Sequence, residues 1–219
     1  MRQVFVYGAS GHAKVVIDIL YQGKKYDIIG LIDDNKELKD SMISEYKILG
    51  GEEALIELKN EGIYMGIAAI GNNNLRDSVY KKIKDMGFDI ITAVHPSAIL
   101  GSRVKIGEGT VVMPNVVINV DSVIGNNCIV NTSASIDHEC TIGQSAHISP
   151  GVRLAGGVKI GDLTHIGIGS VVIQGITIGS NTVVGAGSVV TKDIADNCVA
   201  VGIPARVIKV NGKPVQQNS

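Results

Sequence analysis

Aromatic residues are scarce in this chain of 219 residues: they make up 4 % of it, and tryptophan is absent. Globular cores usually rely on aromatic side chains for much of their buried area. Because 45 % of the residues are nevertheless hydrophobic, the core must be built from valine, isoleucine, leucine and alanine. This composition favours a β solenoid or a small α/β domain, and the length suits one large domain or two small ones.

Other features that the sequence lacks argue against several classes of function. The net charge is −1, and no basic face favours nucleic-acid binding. No apolar run reaches the ~18 residues of a membrane span, and the chain opens on a strand pattern, from which we expect no signal peptide. The three cysteines form no CxxC pair, which indicates reduced thiols and a cytoplasmic protein.

A six-residue repeat runs without interruption from residue 100. Every sixth residue is Ile, Leu or Val, and the residue two before it is small or β-branched. Both should face inward, because residues i and i−2 of a strand point the same way. The glycine or polar residue that follows should permit a corner. Three strands and three corners close one triangular coil, and the repeats give about five coils of a parallel β-helix. The large positions are Leu100, Ile106, Val112, Ile118, Ile124, Val130, Ile136, Ile142, Ile148, Leu154, Ile160, Ile166, Val172, Ile178, Val184 and Val190.

The first part of the chain alternates strand patterns with helix patterns. Short apolar strands are predicted at 3–7, 27–32, 66–70 and 88–94, and helices after the first strand and at 52–60 and 75–86. This alternation is typical of a small doubly wound parallel sheet. We therefore expect an α/β, Rossmann-like domain over residues 1–94, an all-β helix over 95–208, and a frayed tail over 209–219.

Three loops should meet at the carboxyl edge of this sheet, where such domains bind ligands. They are residues 8–12, 33–34 and 71–74. Glycines let the backbone approach a phosphate, the next helix N-terminus attracts an anion, and an acidic residue after the second strand often holds a ribose hydroxyl. NAD and a nucleotide-sugar both fit this pattern. The first loop has only Gly-x-x-Gly, which weakens the dinucleotide interpretation.

Three histidines gather in the β-helix half, at 138, 147 and 165. Acetyl transfer needs a base to take a proton from the attacking amine or hydroxyl, and histidine has a suitable pKa. His138 lies near a corner and should point outward, beside Glu139. His147 and His165 are one coil apart and should stack on one outer face. His138 and His147 are half a coil apart, so they could share a substrate most easily between subunits. This predicts a closed oligomer, and a cyclic trimer suits a three-sided prism.

Taken over nearly its whole length, the chain resembles the PglD-like hexapeptide-repeat nucleotide-sugar N-acetyltransferases. The NeuD-like sialic-acid O-acetyltransferases share this architecture. The resemblance implies a left-handed β-helix, a homotrimer, acetyl-CoA as co-substrate and no metal. The matching segments are YGASGHAKVV at 7–16, LIDD at 31–34, AIGNN at 69–73, MPNVVIN at 113–119, NTSASIDHEC at 131–140 and VGIPAR at 201–206.

The resemblance also implies roles for individual residues. His138 matches the general base, Glu139 the residue that raises its basicity, and Asn131 a polar residue that lines the site. Eight residues are assigned to the nucleotide-sugar: Ser10, Gly11, His12, Asp33, Asp34, Gly71, Asn72 and Asn73. Five are assigned to acetyl-CoA: His147, Gly156, His165, Ile168 and Ala186.

The function implied is N-acetylation of a nucleotide-linked sugar, most simply a UDP-linked 4-amino-6-deoxy sugar, by direct transfer. O-acetylation of a sialic acid or a related sugar is the alternative, and the DHEC segment does not separate the two.

Three functions of other classes fit the sequence less well. A zinc carbonic anhydrase on the same kind of helix needs two histidines with four residues between them, but position 143, five residues after His138, is glycine. A non-catalytic nucleotide-binding solenoid would leave the His138 and Glu139 pair without a purpose. An NAD-dependent oxidoreductase lacks the second glycine pair.

Overall fold

The computed structural model describes residues 1–215; residues 216–219 of the predicted tail lie outside the described part. The chain divides into two units, Met1–Pro96 and a second one that begins at Ser97. No helix among the described residues is long and apolar enough to cross a membrane.

The first unit is a six-stranded sheet with helices packed against it. In chain order the elements are β1 (Arg2–Tyr7), α1 (Gly11–Gly23), β2 (Tyr26–Ile32), a 3-10 turn (Lys36–Leu38), β3 (Met42–Ile43), β4 (Tyr46–Gly50), α2 (Glu52–Asn60), β5 (Met65–Ala68), α3 (Asn73–Asp85), β6 (Asp89–Ile90) and β7 (Ala93–Val94). The strand order in the sheet is β3-β4-β2-β1-β5-β6, parallel except for the pairing of β3 with β4.

The hairpin of β3 and β4 was not among the predicted strands. These strands have two and five residues, too few for alternation of apolar and polar residues to stand out. Ile48 shows why β4 forms: it pairs with Leu31 of β2, and its side chain is fully buried.

Two phenylalanines, all that the sequence contains, meet in the core of this unit. Their ring centroids are 5.1 Å apart and the rings are nearly perpendicular, at 83°, the edge-to-face arrangement that aromatic quadrupoles favour. Gly66 of β5 makes room for them, because a Cβ there would lie 2.2 Å from Cζ of Phe5. The two rings belong to one buried cluster with Val79, Tyr80 and Ile83, which packs α3 against the sheet.

The second unit is a three-sided parallel β-helix. From Ile99 to Val172, each strand pairs in parallel with the strand eighteen residues further on. His147 of one coil, for example, lies opposite His165 of the next. The first strands are β8 (Ile99–Leu100), β9 (Lys105–Ile106), β10 (Val111–Val112), β11 (Val117–Ile118), β12 (Val123–Ile124), β13 (Ile129–Val130), β14 (Ser135–Ile136) and β15 (Thr141–Ile142). They are followed by β16 (His147–Ile148), β17 (Arg153–Leu154), β18 (Lys159–Ile160), β19 (His165–Ile166), β20 (Val171–Val172), β21 (Thr177–Ile178), β22 (Val183–Val184) and β23 (Val189–Val190).

Small side chains fill part of the interior of the coils, as the repeat predicts. The thiols of Cys128 and Cys140 are buried and donate hydrogen bonds to the carbonyls of Gly143 and Ala155, at 3.0 and 3.2 Å. Thr110 is likewise fully buried, and its hydroxyl donates to the carbonyl of Gly125 at 2.8 Å. These three buried donors thus bond to carbonyls of the next corner, which avoids the cost of an unsatisfied buried donor.

The corners turn at a different residue from the one predicted. The left-handed backbone conformation falls three residues after every large apolar residue from Leu100 to Val184, for example at Asn127 (φ 56°) and Ser145 (φ 55°). The glycine directly after the large residue serves close stacking instead: a Cβ on Gly125 would lie 2.9 Å from the backbone nitrogen of Gln144 in the next coil. Glycine is required there because the coils approach each other closely.

The end of the described chain corrects the predicted tail. Residues 209–214 of the predicted tail are not frayed, because β25 (Ala205–Val210) pairs antiparallel with both β24 (Cys198–Gly202) and β26 (Lys213–Pro214).

Candidate active site

His138 and Glu139 form the corner between β14 and β15. Glu139 has the left-handed backbone conformation, with φ 58°, and this turn brings its carboxylate to the preceding ring: Oε2 lies 3.0 Å from Nδ1 of His138. A carboxylate can only accept a hydrogen bond, so Nδ1 must carry the proton. The lone pair of the neutral imidazole is therefore on Nε2, and the ring is half exposed to solvent. This arrangement suits a general base that uses Nε2.

The coils on both sides hold the backbone of His138. Its N–H donates to Oδ1 of Asp137 at 2.8 Å, and the same oxygen accepts a hydrogen bond from the Asn119 amide of the preceding coil at 2.9 Å. The hydrogen bond from Asn119 is the main reason that the pKa of Asp137 lies below its usual range. On the other side, the carbonyl of His138 accepts the N–H of Gly157 at 2.9 Å. The predicted site residue Gly156 lies beneath the His138 ring.

Asn131, His147 and His165 form a second group, on the stack that contains β13, β16 and β19. The amide oxygen of Asn131 accepts the N–H of Thr132 at 2.8 Å, so its NH₂ group donates to Nε2 of His147 at 3.1 Å. The rings of His147 and His165 stack with centroids 4.7 Å apart, and Nε2 of His165 lies 2.9 Å from the hydroxyl of Ser149. The predicted stacking of these two histidines is present.

Ile168 and Ala186 lie at the corners that follow β19 and β22, one coil apart. Ile168 is 56 % exposed, although it is large and apolar, and its carbonyl accepts the N–H of Gly187 at 2.8 Å. An exposed apolar corner of this kind can accommodate the hydrocarbon part of a pantetheine arm. The assigned residues thus fall into three groups within one chain: the His138 corner, the His147 stack and the Ile168 corner.

The loops of the first unit form a pocket at the carboxyl edge of its sheet. Ser10 is the N-cap residue of α1, yet its side chain makes no capping hydrogen bond, which leaves the helix N-terminus open. Nothing lies within 4 Å of a Cβ added to Gly11 or Gly71. Gly8, by contrast, has φ 124° and lies against the carbonyl of Ala69. The pocket is lined by Tyr7, Gly8, Ala9, Ser10, Asp33, Asp34, Ile70, Leu75 and Val79.

Asp33 and Asp34 differ in what they do at this pocket. The two carboxylate oxygens of Asp33 accept the backbone N–H groups of Ala9 and Asn35, each at 2.9 Å, so Asp33 ties the first loop to the second. Asp34 accepts the hydroxyl of Tyr7 at 2.7 Å and is exposed. Burial, and then the hydrogen bond to Asp34, raise the pKa of Tyr7 far above its ordinary value.

Lys82 and Arg76 belong to the site but were not predicted. Nζ of Lys82 lies 3.3 Å from the hydroxyl of Tyr7 and 3.4 Å from carboxylate oxygens of Asp34 and Glu52. Arg76 is fully buried and donates to the carbonyls of Ile70 and Gly71 at 3.1 and 3.2 Å. Both lie on α3. Lys82 is 75 and 48 residues from Tyr7 and Asp34 along the chain, and no local pattern identifies such contacts, whereas Arg76 bonds to the loop just before its own helix.

Arg76 and the start of α3 fix the third loop. The Arg76 guanidinium also donates to the side-chain oxygen of Asn73 at 3.0 Å, and Asn72 caps α3 by accepting the N–H of Leu75 at 3.0 Å. His12 is affected by the same cation: burial, and then the charge of Arg76, lower the pKa of His12 to about 4. His12 is therefore a neutral side chain at neutral pH.

Comparison with known proteins identifies the family of this chain. Residues 3–83 match the PglD N-terminal domain family, and residues 157–192 match the bacterial transferase hexapeptide family, which has six repeats. PerB from Caulobacter crescentus, solved in complex with CoA and GDP-perosamine, is 39 % identical, with a TM-score of 0.90 over 94 % of this chain and 97 % of that chain. This chain belongs to the PglD-like hexapeptide-repeat acetyltransferases.

Two further relatives of this PglD-like acetyltransferase support the assignment. The acetyltransferase domain of PglB from Neisseria gonorrhoeae FA1090, solved with acetyl coenzyme A, is 33 % identical, with a TM-score of 0.87 over 94 % of this chain and 98 % of that chain. UDP-N-acetylbacillosamine N-acetyltransferase from Bacillus subtilis (strain 168) is 35 % identical over 114 residues, which are 52 % of this chain and 52 % of the relative. The match therefore spans about half of that curated relative.

The predicted family, the Rossmann-like unit and the left-handed β-helix are confirmed. The relatives are sugar N-acetyltransferases, which favours the amine over the hydroxyl as acceptor. Among residues 1–215, no group of three His, Cys, Asp or Glu side chains is placed to hold a metal ion. The roles assigned to individual residues stay predictions.

Proposed function

We propose that this protein transfers the acetyl group of acetyl-CoA to the 4-amino group of a nucleotide-linked 6-deoxy sugar. The observation that carries the proposal is the His138 corner, where Glu139 holds the proton on Nδ1 and leaves Nε2 as a half-exposed base. A histidine with this orientation is what an amine needs in order to lose its proton as it attacks a thioester. The relatives that are named as N-acetyltransferases, of UDP-N-acetylbacillosamine and of perosamine, support the same reaction.

The reaction proceeds by direct attack within a complex of both substrates. The sugar nitrogen forms a bond to the thioester carbonyl carbon, and Nε2 of His138 takes the proton that the nitrogen loses. The C–S bond then breaks, and the proton passes from His138 to the sulfur, so that CoA leaves as the thiol. Glu139 stabilises the imidazolium that exists between these two proton transfers. A backbone N–H is expected to stabilise the oxyanion.

The nucleotide of the sugar substrate is proposed to bind the pocket of the first unit. The open N-terminus of α1 at Ser10 and Gly11 favours an anion such as a diphosphate. Asp34, whose carboxylate is exposed there, can accept a hydrogen bond from a base or a ribose. A UDP-linked sugar is the first candidate and a GDP-linked sugar the second, since the relatives are named for one or the other.

We propose that the working unit is a homotrimer with sites between subunits. The support is the division of the assigned residues within one chain: His138 follows β14, whereas His147 begins β16 on another side of the helix. If one site uses His138 of one subunit and His147 of another, mixed trimers of His138→Ala and His147→Ala subunits should have activity that neither variant has alone. Light scattering at the elution peak should give three times the mass of the chain; a monomer mass would contradict the proposal.

We place the reaction in the cytoplasm. The three cysteines, Cys128, Cys140 and Cys198, are buried thiols, and proteins of oxidising compartments commonly join such residues in disulfides. Cell fractionation with an antibody to the chain tests this placement.

The decisive experiment is a thiol-release assay. Acetyl-CoA is offered with a panel of UDP- and GDP-linked 4-amino sugars and their 4-hydroxy counterparts. Release with an amino sugar, reduced about 100-fold or more in His138→Ala but unchanged in the exposed control Lys159→Ala, supports the proposal. Release only with hydroxyl acceptors contradicts N-acetylation. Full activity of His138→Ala contradicts its role as the base.

A further inference from the structure

Gly156 lies one coil after His138, directly against the histidine ring. A Cβ built on Gly156 would lie 2.5 Å from Nε2, 2.6 Å from Cε1 and 3.2 Å from Cδ2 of His138. No real carbon comes that close to a ring atom, so any side chain at residue 156 would displace the imidazole. The backbone of Gly156 is not in the left-handed region, and its conformation therefore does not require glycine. The contact with His138 does.

The ring of His138 is thus held at two places. Glu139 contacts Nδ1 at 3.0 Å, and Gly156 lies beneath the ring, close to Nε2 and Cε1. The backbone on either side is fixed, because the N–H of Gly157 donates to the carbonyl of His138 at 2.9 Å. Only rotation of the side chain could relieve a clash with residue 156, and rotation would take Nδ1 away from Glu139.

We infer that Gly156 is a positioning residue for His138. Its missing side chain seats the imidazole so that Nδ1 stays on Glu139 and Nε2 keeps its direction. This inference rests on the proposed function, since it takes His138 as the base. It differs from the assignment of Gly156 to the acetyl-CoA groove, because a residue that only lines the groove affects acetyl-CoA binding, whereas a positioning residue affects the rate of the chemical step.

The test is a double-mutant cycle between Gly156→Ala and His138→Ala, with kcat and both KM values measured. In the wild-type background, Gly156→Ala should lower kcat about 100-fold, towards the loss caused by removing the base, with the KM for acetyl-CoA nearly unchanged. In the His138→Ala background the clash is gone, and the added alanine should change kcat by less than about twofold. Gly23→Ala is the control, because nothing lies within 4 Å of its added Cβ.

Two kinetic outcomes would overturn the inference. One is an equal loss in both backgrounds, and the other is a raised KM for acetyl-CoA at constant kcat; either would make Gly156 a groove residue only. Thermal unfolding of all variants shows whether a loss of kcat comes from a loss of fold.

A structural readout separates this inference from the proposed function. In the wild-type protein, nuclear Overhauser contacts should join the His138 ring protons to the α-protons of Gly156, and their absence would overturn the inference. In Gly156→Ala the ring should shift away from Glu139. If the wild-type enzyme acetylates nothing in the panel, the proposed function fails, while these contacts still decide whether Gly156 seats the ring.

Discussion

Replacing Glu139 with glutamine removes one charge beside His138 and keeps the size of the side chain. When His138 holds the proton of the amine, its imidazolium faces the Glu139 carboxylate at 3.0 Å. The side chains are 53 % and 70 % exposed, so a water-like dielectric constant of ~80 applies, and the attraction is then about 1.4 kcal/mol. Losing it from the transition state should slow the reaction about tenfold.

The assay is the steady-state rate of thiol release at saturating acetyl-CoA. Glu139→Gln should lower kcat about tenfold with little change in either KM, since the charge pair exists only while the proton is on His138. Asp121→Asn is the matched control: it removes a carboxylate one coil earlier, whose partner is the exposed Arg103, and should leave kcat unchanged. A Glu139→Gln enzyme as fast as wild type, or as slow as His138→Ala, would refute the electrostatic role.

The loops of the first unit offer three more tests. Gly11→Ala should leave the melting temperature unchanged, because its Cβ meets nothing within 4 Å, yet it should raise the KM for the nucleotide-sugar; Gly23→Ala at the other end of α1 should raise neither KM. The pKa of His12, about 4 in the folded protein, lies below the ordinary value of about 6.5, so the neutral ring stabilises the fold above pH 6.5. About 3 kcal/mol of stability should be lost as the pH falls from 6.5 to 4, and His12→Gln should lack this loss in denaturant titrations. Arg76→Met should cost about 3 kcal/mol and raise the KM for the nucleotide-sugar but not for acetyl-CoA, whereas unchanged nucleotide-sugar binding would contradict the role of Arg76 in ordering the third loop.

The β-helix could be predicted in detail because its repeat is visible along the chain. Each large apolar residue recurs at six-residue spacing, so the inward side of every strand follows from the sequence alone. The left-handed corner residues could not be recognised, because this position is shared by chemically different residues, among them Asn127, Leu163 and Gly169. Conformation there is set by hydrogen bonds to the neighbouring coils, and the side chains only tolerate it.

The contacts of the candidate site, too, could be predicted from the sequence only in part. The His138 and Glu139 contact follows from two adjacent residues at a corner, and the stacked pair of His147 and His165 follows from the repeat. Lys82 could not be found in this way, since its contacts with Asp34 and Tyr7 bridge 48 and 75 residues of chain. Such contacts depend on the packing of α3 across the sheet, which no local pattern reports.

Two glycines of the β-helix are required for different reasons, one for stability and the other for activity. A Cβ on Gly125 would meet backbone atoms of the next coil at 2.9 Å, whereas a Cβ on Gly156 would meet a side chain, that of His138. Backbone held by the coil-to-coil hydrogen bonds cannot yield without losing them, so Gly125→Ala should lower the melting temperature and leave kcat near normal in the enzyme that remains folded. The His138 ring can rotate, so Gly156→Ala should keep the melting temperature and lose kcat. Unfolding curves and kinetics on both variants test this contrast, and equal losses of stability would contradict it.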